Sequence, residues 1–308
     1  MARARGRSRT TIPAQVRAPS NNPTPATTTN PGPPPTVTLQ VLMFIVDEPK
    51  KSINKESLRK VERALENVQG DKLYLVIQTR GGDPFSAVRI MKVIHKKFRE
   101  VISIVPSHAM SAGTLMALGT NKIYMQAKSM LGPLDLPSEH PNDGSWISAL
   151  DFRNTITTLA GLSDTIADVR YKFLRNKCGL GKKDAAKEAL STATHFMEPI
   201  VKQIDPYHLQ KSVRELKIGW WYAYDLLVAR MMATNPSQAW DTAKTLVNDF
   251  PAHDYGIFSN DARLLLSLAI EDLDTLAEWR VIKPVFDTID NLGNDAIVRK
   301  EVDYAQTP

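Results

Sequence analysis

Val37 to Val46 (VTLQVLMFIV) is a nearly unbroken β-favouring apolar run, the pattern of a strand covered on both faces. From Ile53 to Val68 the spacing changes, and Leu58, Val61, Leu65 and Val68 recur at helical intervals. Leu73 to Ile77 (LYLVI) reads as a second buried strand and runs into the turn Gly81-Gly82-Asp83-Pro84. Phe85 to Phe98 is helical again, through Val88, Met91, Val93 and Ile94. Val101 to Val105 (VISIV) predicts a third strand, Ser111 to Leu118 a short helix, and Lys122 to Met125 a fourth strand.

This β-α-β-α-β-α-β alternation with short connections predicts parallel strands joined by right-handed crossovers. In such sheets ligands bind beyond the carboxyl ends of the strands. Two glycine-containing segments fall there, Gly81-Gly82 after the second strand and the Ser111 segment after the third. Beyond about residue 150 the pattern turns mostly helical. Ile166, Val169, Phe173 and Leu174 make one stripe, and Trp220, Trp221, Tyr224, Leu227 and Val228 another. Leu264–Ile270 and Leu273–Ile289 are expected to be further helices. Residues 1–36 form a separate segment in which Pro alternates with Thr, Asn and Ala. That composition offers no core and predicts a disordered arm.

Charge changes the picture little. The formal net charge is +6, but Arg3, Arg5, Arg7, Arg9 and Arg17 precede the first acidic residue, Asp47. The remainder is close to neutral, so no nucleic-acid groove is expected. A single cysteine, Cys178, excludes an intrachain disulfide and fits a reduced, cytoplasmic setting. No stretch reaches the apolar length of a membrane helix, and the arginine-rich start does not read as a secretory signal, so a soluble protein is expected.

The segment Ala109-Met110-Ser111-Ala112-Gly113-Thr114 is the best candidate for chemistry. A serine between a strand and a helix lies at a helix N-terminus, where the dipole favours an alkoxide-like state. The Ala112 backbone N–H is one candidate oxyanion donor, and Gly81 or Gly82 supplies the other. The competing reading is that Ser111 only caps the helix. CGLGKK at 178–183 lacks the first glycine and the Ser or Thr of a phosphate loop. HExxH, paired-cysteine and GxGxxG motifs are absent, so no metal or cofactor is expected.

TRGGDP at 79–84, SHAMSAGTLMALG at 107–119 and SMLGPLDLP at 129–137 together resemble the core of the serine dehydrogenase proteinases. These are relatives of the signal peptide peptidase A type enzymes, within the ClpP/crotonase superfamily. The resemblance implies an α/β ClpP/crotonase-like core at 37–178, followed by a mostly helical extension at 179–308. It implies Ser111 as nucleophile of a serine endopeptidase acting on peptides or unfolded protein, through an acyl-enzyme, in a homo-oligomer.

The base is open at this point. No histidine stands about 25 residues after Ser111, where Clp subunits carry one. The segment Ile166 to Lys172 is similar to a helical family segment, with Lys172 in the lysine position of a Ser/Lys dyad. A desolvated lysine could act as base, or Lys172 simply pairs with Asp168 one turn away. His253, in a segment (HDYGI) similar to one near the family's C-terminal end, is the alternative base. His108 could line the cleft, and Asp135 is expected to be structural. A crotonase-like acyl-CoA enzyme and an inert assembly protein are the competing functions.

Overall fold

The computed structural model of the chain describes residues 36–48, 51–135, 137–139, 146–291 and 296–305. The arm expected at 1–36 lies outside them apart from Thr36. The described chain begins with β1 (Thr36–Val46), α1 (Lys55–Ala64), β2 (Gly70–Thr79), α2 (Pro84–Lys97), β3 (Phe98–Val105), β4 (His108–Ala109) and α3 (Ala112–Leu118). It continues with β5 (Lys122–Met125), β6 (Met130–Leu131) and the small hairpin β7 (Pro137–Glu139) and β8 (Trp146–Ser148). Four helices follow: α4 (Ala149–Asn176), α5 (Lys182–Val201), α6 (Pro206–Ala229) and α7 (Pro236–Asn248). The last elements are β9 (Ile257–Phe258), α8 (Ser259–Leu264), β10 (Ile270–Asp272), α9 (Trp279–Asp290) and β11 (Ala296–Ala305).

The main sheet is parallel through β1, β2, β3 and β5, as the alternation predicts. Strand alternation sends Leu42, Phe44 and Val46 into a core under α1, α2, α3 and α6. The intervening Val41, Met43 and Ile45 enter a second core, with Trp279, Ile282 and Phe286 of α9. Both faces of β1 are thus covered, which is why its sequence shows no polar alternation. The sheet branches at the end of β2. Thr79 pairs with Ala109 of β4, β4 pairs with β6, and β6 pairs antiparallel with β9. The short branch carries the Ser111 segment.

The structure departs from the sequence reading in the last third. Leu264–Ile270 is not a helix. α8 ends at Leu264, and Ile270 begins β10, which pairs with β5. The predicted helix at 273–289 starts instead as a 3₁₀ turn at Leu273–Thr275, with α9 from Trp279. β11 was not expected, and it pairs antiparallel along β1 from Thr36 to Ile45. Strands from beyond residue 179 therefore join the core sheet. In α4 the apolar stripe largely faces outward: Val169 is 63% exposed and Phe173 48%, and only Leu174 of that stripe is buried. A helix packed mainly on one antiparallel neighbour buries a narrow face and leaves the rest to solvent.

α6 crosses the sheet's helical layer and ends at Arg230, whose guanidinium ties it down. Arg230 donates to the carbonyls of Phe98 (2.7 Å), His95 (3.5 Å) and Arg99. These carbonyls lie at the end of α2 and the start of β3. Leu226 lies against Gly119, at the end of α3, so the N-terminal half of α6 points towards the Ser111 end of that helix. Arg230→Ala is expected to cost about 2 kcal/mol, the scale of charge-assisted hydrogen bonds lost to carbonyls left unpaired. Urea denaturation should show a lower midpoint at unchanged slope.

Candidate active site

The turn after β2 and the turn after β4 meet back to back. Ser111 has φ +49° and ψ −113°, a conformation that a residue with a Cβ rarely adopts. Its side chain makes no capping hydrogen bond, so the capping reading does not describe it. The strained backbone is fixed from both sides. Met110 N–H donates to the Thr79 carbonyl at 2.9 Å, and Gly113 N–H to the Met110 carbonyl at 2.8 Å. Thr114 Oγ1 lies 2.7 Å from the Ala109 carbonyl and 2.9 Å from that of Gly132, and accepts from Gly132 N–H at 2.9 Å.

Two glycines leave the space that this turn occupies. Gly81 has φ +107°, and a Cβ there would stand 2.8 Å from the Met110 carbonyl and 2.9 Å from Ser111 Cβ. A Cβ on Gly132 would stand 3.0 Å from Ser111 N and 2.9 Å from Met110 Cε. At Gly81 any other residue would be strained and would clash with the Met110 carbonyl, while at Gly132 an added methyl would press on Ser111 N and push the Met110 side chain aside.

The two candidate glycine donors differ. Gly81 N–H is already given to Thr79 Oγ1 at 3.1 Å, so it is not a free oxyanion donor. Gly82 sits in an isolated bridge to Ile53 in which the Gly81 carbonyl and the Asp83 N–H make the bonds. The Gly82 N–H stays outside that bridge. Ala112 N–H opens α3 and has no acceptor among the described residues. Of the donors expected from the sequence, Gly82 and Ala112 are the two whose N–H groups are not given to these acceptors.

His253 and Asp135 come together although 118 residues separate them. His253 Nδ1 lies 3.1 Å from Asp135 Oδ1, and Asp135 Oδ2 accepts from Ser148 Oγ at 2.5 Å. Asp135 is 2% exposed. The sequence reading gave Asp135 a structural role and found no partner for His253. The antiparallel β6–β9 pairing is what brings residue 135, just after β6, beside residue 253, just before β9. Nε2 of His253 has no partner among the described residues. The hydrogen bond to Asp135 raises the His253 pKa above the ordinary 6.5, against the lowering imposed by burial. The pair's contribution to stability is thus full below 6.5 and is lost as pH rises through the raised value.

Ser111, Asp135 and His253 lie at one edge of the short branch, with β6 between β4 and β9, about 10 Å across at strand spacing. No hydrogen bond joins Ser111 to His253 in this chain. His108 is differently placed: Nε2 lies 2.8 Å from Asp47 Oδ1 and Nδ1 3.0 Å from Ser107 Oγ, so both ring nitrogens are engaged.

Lys172 is not in a closed cleft. It stands on α4 with its side chain 65% exposed, and Nζ lies 2.6 Å from Asp168 Oδ2. The expected desolvation of this lysine is not met within the single chain, because α4 projects that face to solvent.

A tight strand-to-helix turn thus presents Ser111 at the start of α3 with a strained backbone and no capping role. By comparison, residues 43–189, from β1 into α5, match the ClpP-like SDH-type serine proteinases. Two uncharacterized proteins of Methanocaldococcus jannaschii are similar. One is 40% identical over 86 residues, 28% of this chain and 30% of that protein. The other is 23% identical over 197 residues, 62% of this chain and 61% of that protein. The chain thus spans less than two thirds of the length of either relative. A membrane-bound stomatin-specific protease solved with a substrate peptide aligns over 44% of this chain and 60% of its own, at 21% identity and a TM-score of 0.28. Among the described residues no helix is long and apolar enough to cross a membrane.

Gly132→Ala is expected to keep the protein folded while displacing Ser111. Labelling by a fluorophosphonate should slow about a hundredfold, the scale of a 1 Å misplacement at a reacting centre. Far-UV circular dichroism before and after the substitution checks that the fold persists.

Proposed function

We propose that the chain is a serine peptidase in which Ser111 attacks the scissile carbonyl and His253, oriented by Asp135, takes its proton. The observation that carries this reading is the buried Asp135 bonded to Nδ1 of His253, with no partner for Nε2 among the described residues, at the same end of the short branch as the strained Ser111. An imidazole so held presents its basic nitrogen outward in one tautomer. Gly82 and Ala112 N–H groups would receive the oxyanion, and His253 would then return its proton to the leaving amine. The acyl-enzyme on Ser111 is released by water through the same base. This reading requires Ser111 and His253 to come within hydrogen-bond reach in the substrate complex. Peptides or unfolded segments are the substrate class that the proteinase family supports.

One observation favours a second reading, a Ser/Lys dyad with Lys172 as base. Lys172 lies between Val169 and Phe173 on the exposed apolar face of α4, so a second copy seated there would desolvate it. Such self-association also suits the exposed Leu190 and Phe196 of α5.

The two readings separate in a peptide-hydrolysis assay. Ser111→Ala and His253→Ala should each abolish turnover, with the double variant little worse than either single one. Asp135→Asn should lower kcat about a thousandfold or more. In the wild type kcat/KM should rise with pH through a midpoint above 6.5, because the base acts when neutral and its pKa is raised. Lys172→Ala should keep turnover and cost at most about 0.5 kcal/mol. Lost turnover in a folded Lys172→Ala protein, with His253→Ala active, would establish the dyad instead.

A further inference from the structure

A groove of about 720 Å3 opens beside the Gly81-Gly82 turn. Its apolar lining comes from Ile53, Pro84, Phe85, Ile218 and Tyr222, and its polar lining includes Asp83 and Glu215. No lysine or arginine lines it. Gly82 belongs both to this groove and to the turn packed against Ser111, so a peptide whose carbonyl reached the Gly82 and Ala112 N–H groups would have a neighbouring side chain at its mouth.

Glu215 is the unusual member. Its Oε1 forms an i,i+4 ion pair with Lys211 Nζ at 3.9 Å, while its Oε2 is buried and has no hydrogen bond among the described residues. Buried polar atoms without partners are uncommon, and a desolvated carboxylate oxygen gains most from a cation. On α6 such atoms fall at His208 Nε2, Ser212 Oγ and Glu215 Oε2, spaced along one face of the helix. Asp83 is committed to capping α2, through bonds to Phe85 N–H, Ser86 N–H and Ser86 Oγ, yet its charge reaches the groove. Burial first, and then the charges of Asp83 and Asp225, push the Tyr222 hydroxyl pKa up.

We propose that this groove is the specificity subsite for a lysine or arginine side chain of the substrate, its stem against Ile53, Phe85 and Ile218 and its cation at Glu215. A long apolar stem ending in a charge suits apolar walls with one carboxylate. The proposal rests on the peptidase reading for the identity of the ligand as a peptide, and names the residue that would set its preference.

The test uses the full chain carrying Ser111→Ala and a fluorescent decapeptide with lysine, norleucine or glutamate at one central position, scanned in turn. At one position the lysine peptide should bind about tenfold or more tighter than the norleucine peptide, about 1.4 kcal/mol. Adding Glu215→Gln should bring that ratio to about one, and Glu215→Lys should reverse it in favour of glutamate. Equal affinity for lysine and norleucine at every position overturns the subsite, as does a lysine preference that survives Glu215→Gln in a protein of unchanged melting temperature. If a variant melts early, the lysine-to-norleucine ratio of the Glu215 protein decides alone. Hydrolysis by the wild-type chain is read separately. Lysine-selective binding without cleavage of any peptide would sink the peptidase reading and leave the subsite standing.

Discussion

The backbone at Ser111 is held at φ +49° because the surrounding chain leaves it no alternative, and most of the site's geometry depends on that constraint. Strain of this kind costs about 1–3 kcal/mol and persists only where neighbours over-determine it. Here Thr114 bridges the Ala109 carbonyl before the turn to the Gly132 carbonyl after β6, Met110 is bonded to Thr79, and Gly81 and Gly132 supply the room. The same close packing sets Gly81 against Met110, Ser111 and the Ala112 nitrogen. The helix dipole of α3 then adds a modest field of the right sign at the serine.

The second dependence is on chain topology. β6 is only two residues long, yet it joins the Ser111 branch to β9. Its antiparallel partner delivers His253 to the edge where Asp135 emerges. α6 and the Arg230 anchor hold the helical layer over this edge, and place Glu215, Ile218 and Tyr222 against the Gly82 loop. Site, base and groove are thus built from segments more than a hundred residues apart.

The parallel core was legible because its strands are buried on both faces and its helices keep a 3.6-residue period. The placement of Ser111 and of Gly81-Gly82 in turns beyond neighbouring strands was legible because a strand-to-helix turn and a double glycine have few other uses. The His253–Asp135 pair was not, since nothing local to residues 135 or 253 reports an antiparallel pairing of two-residue strands. β11 escaped for a related reason: in Ala296–Ala305 most inward positions face a half-covered edge, so the charged residues break the apolar pattern. The outward-facing Val169 and Phe173 show the converse. Helical periodicity reports an apolar stripe, but not whether the same chain supplies its cover.

The central claim is that Ser111 is a nucleophile activated by the His253–Asp135 pair. Mapping the fluorophosphonate adduct by mass spectrometry, with labelling rates for the wild type and His253→Ala, tests it most directly. The account predicts a single adduct on Ser111, formed far more slowly without His253. An unlabelled Ser111 in folded protein, or an adduct formed at an unchanged rate in His253→Ala, would contradict it.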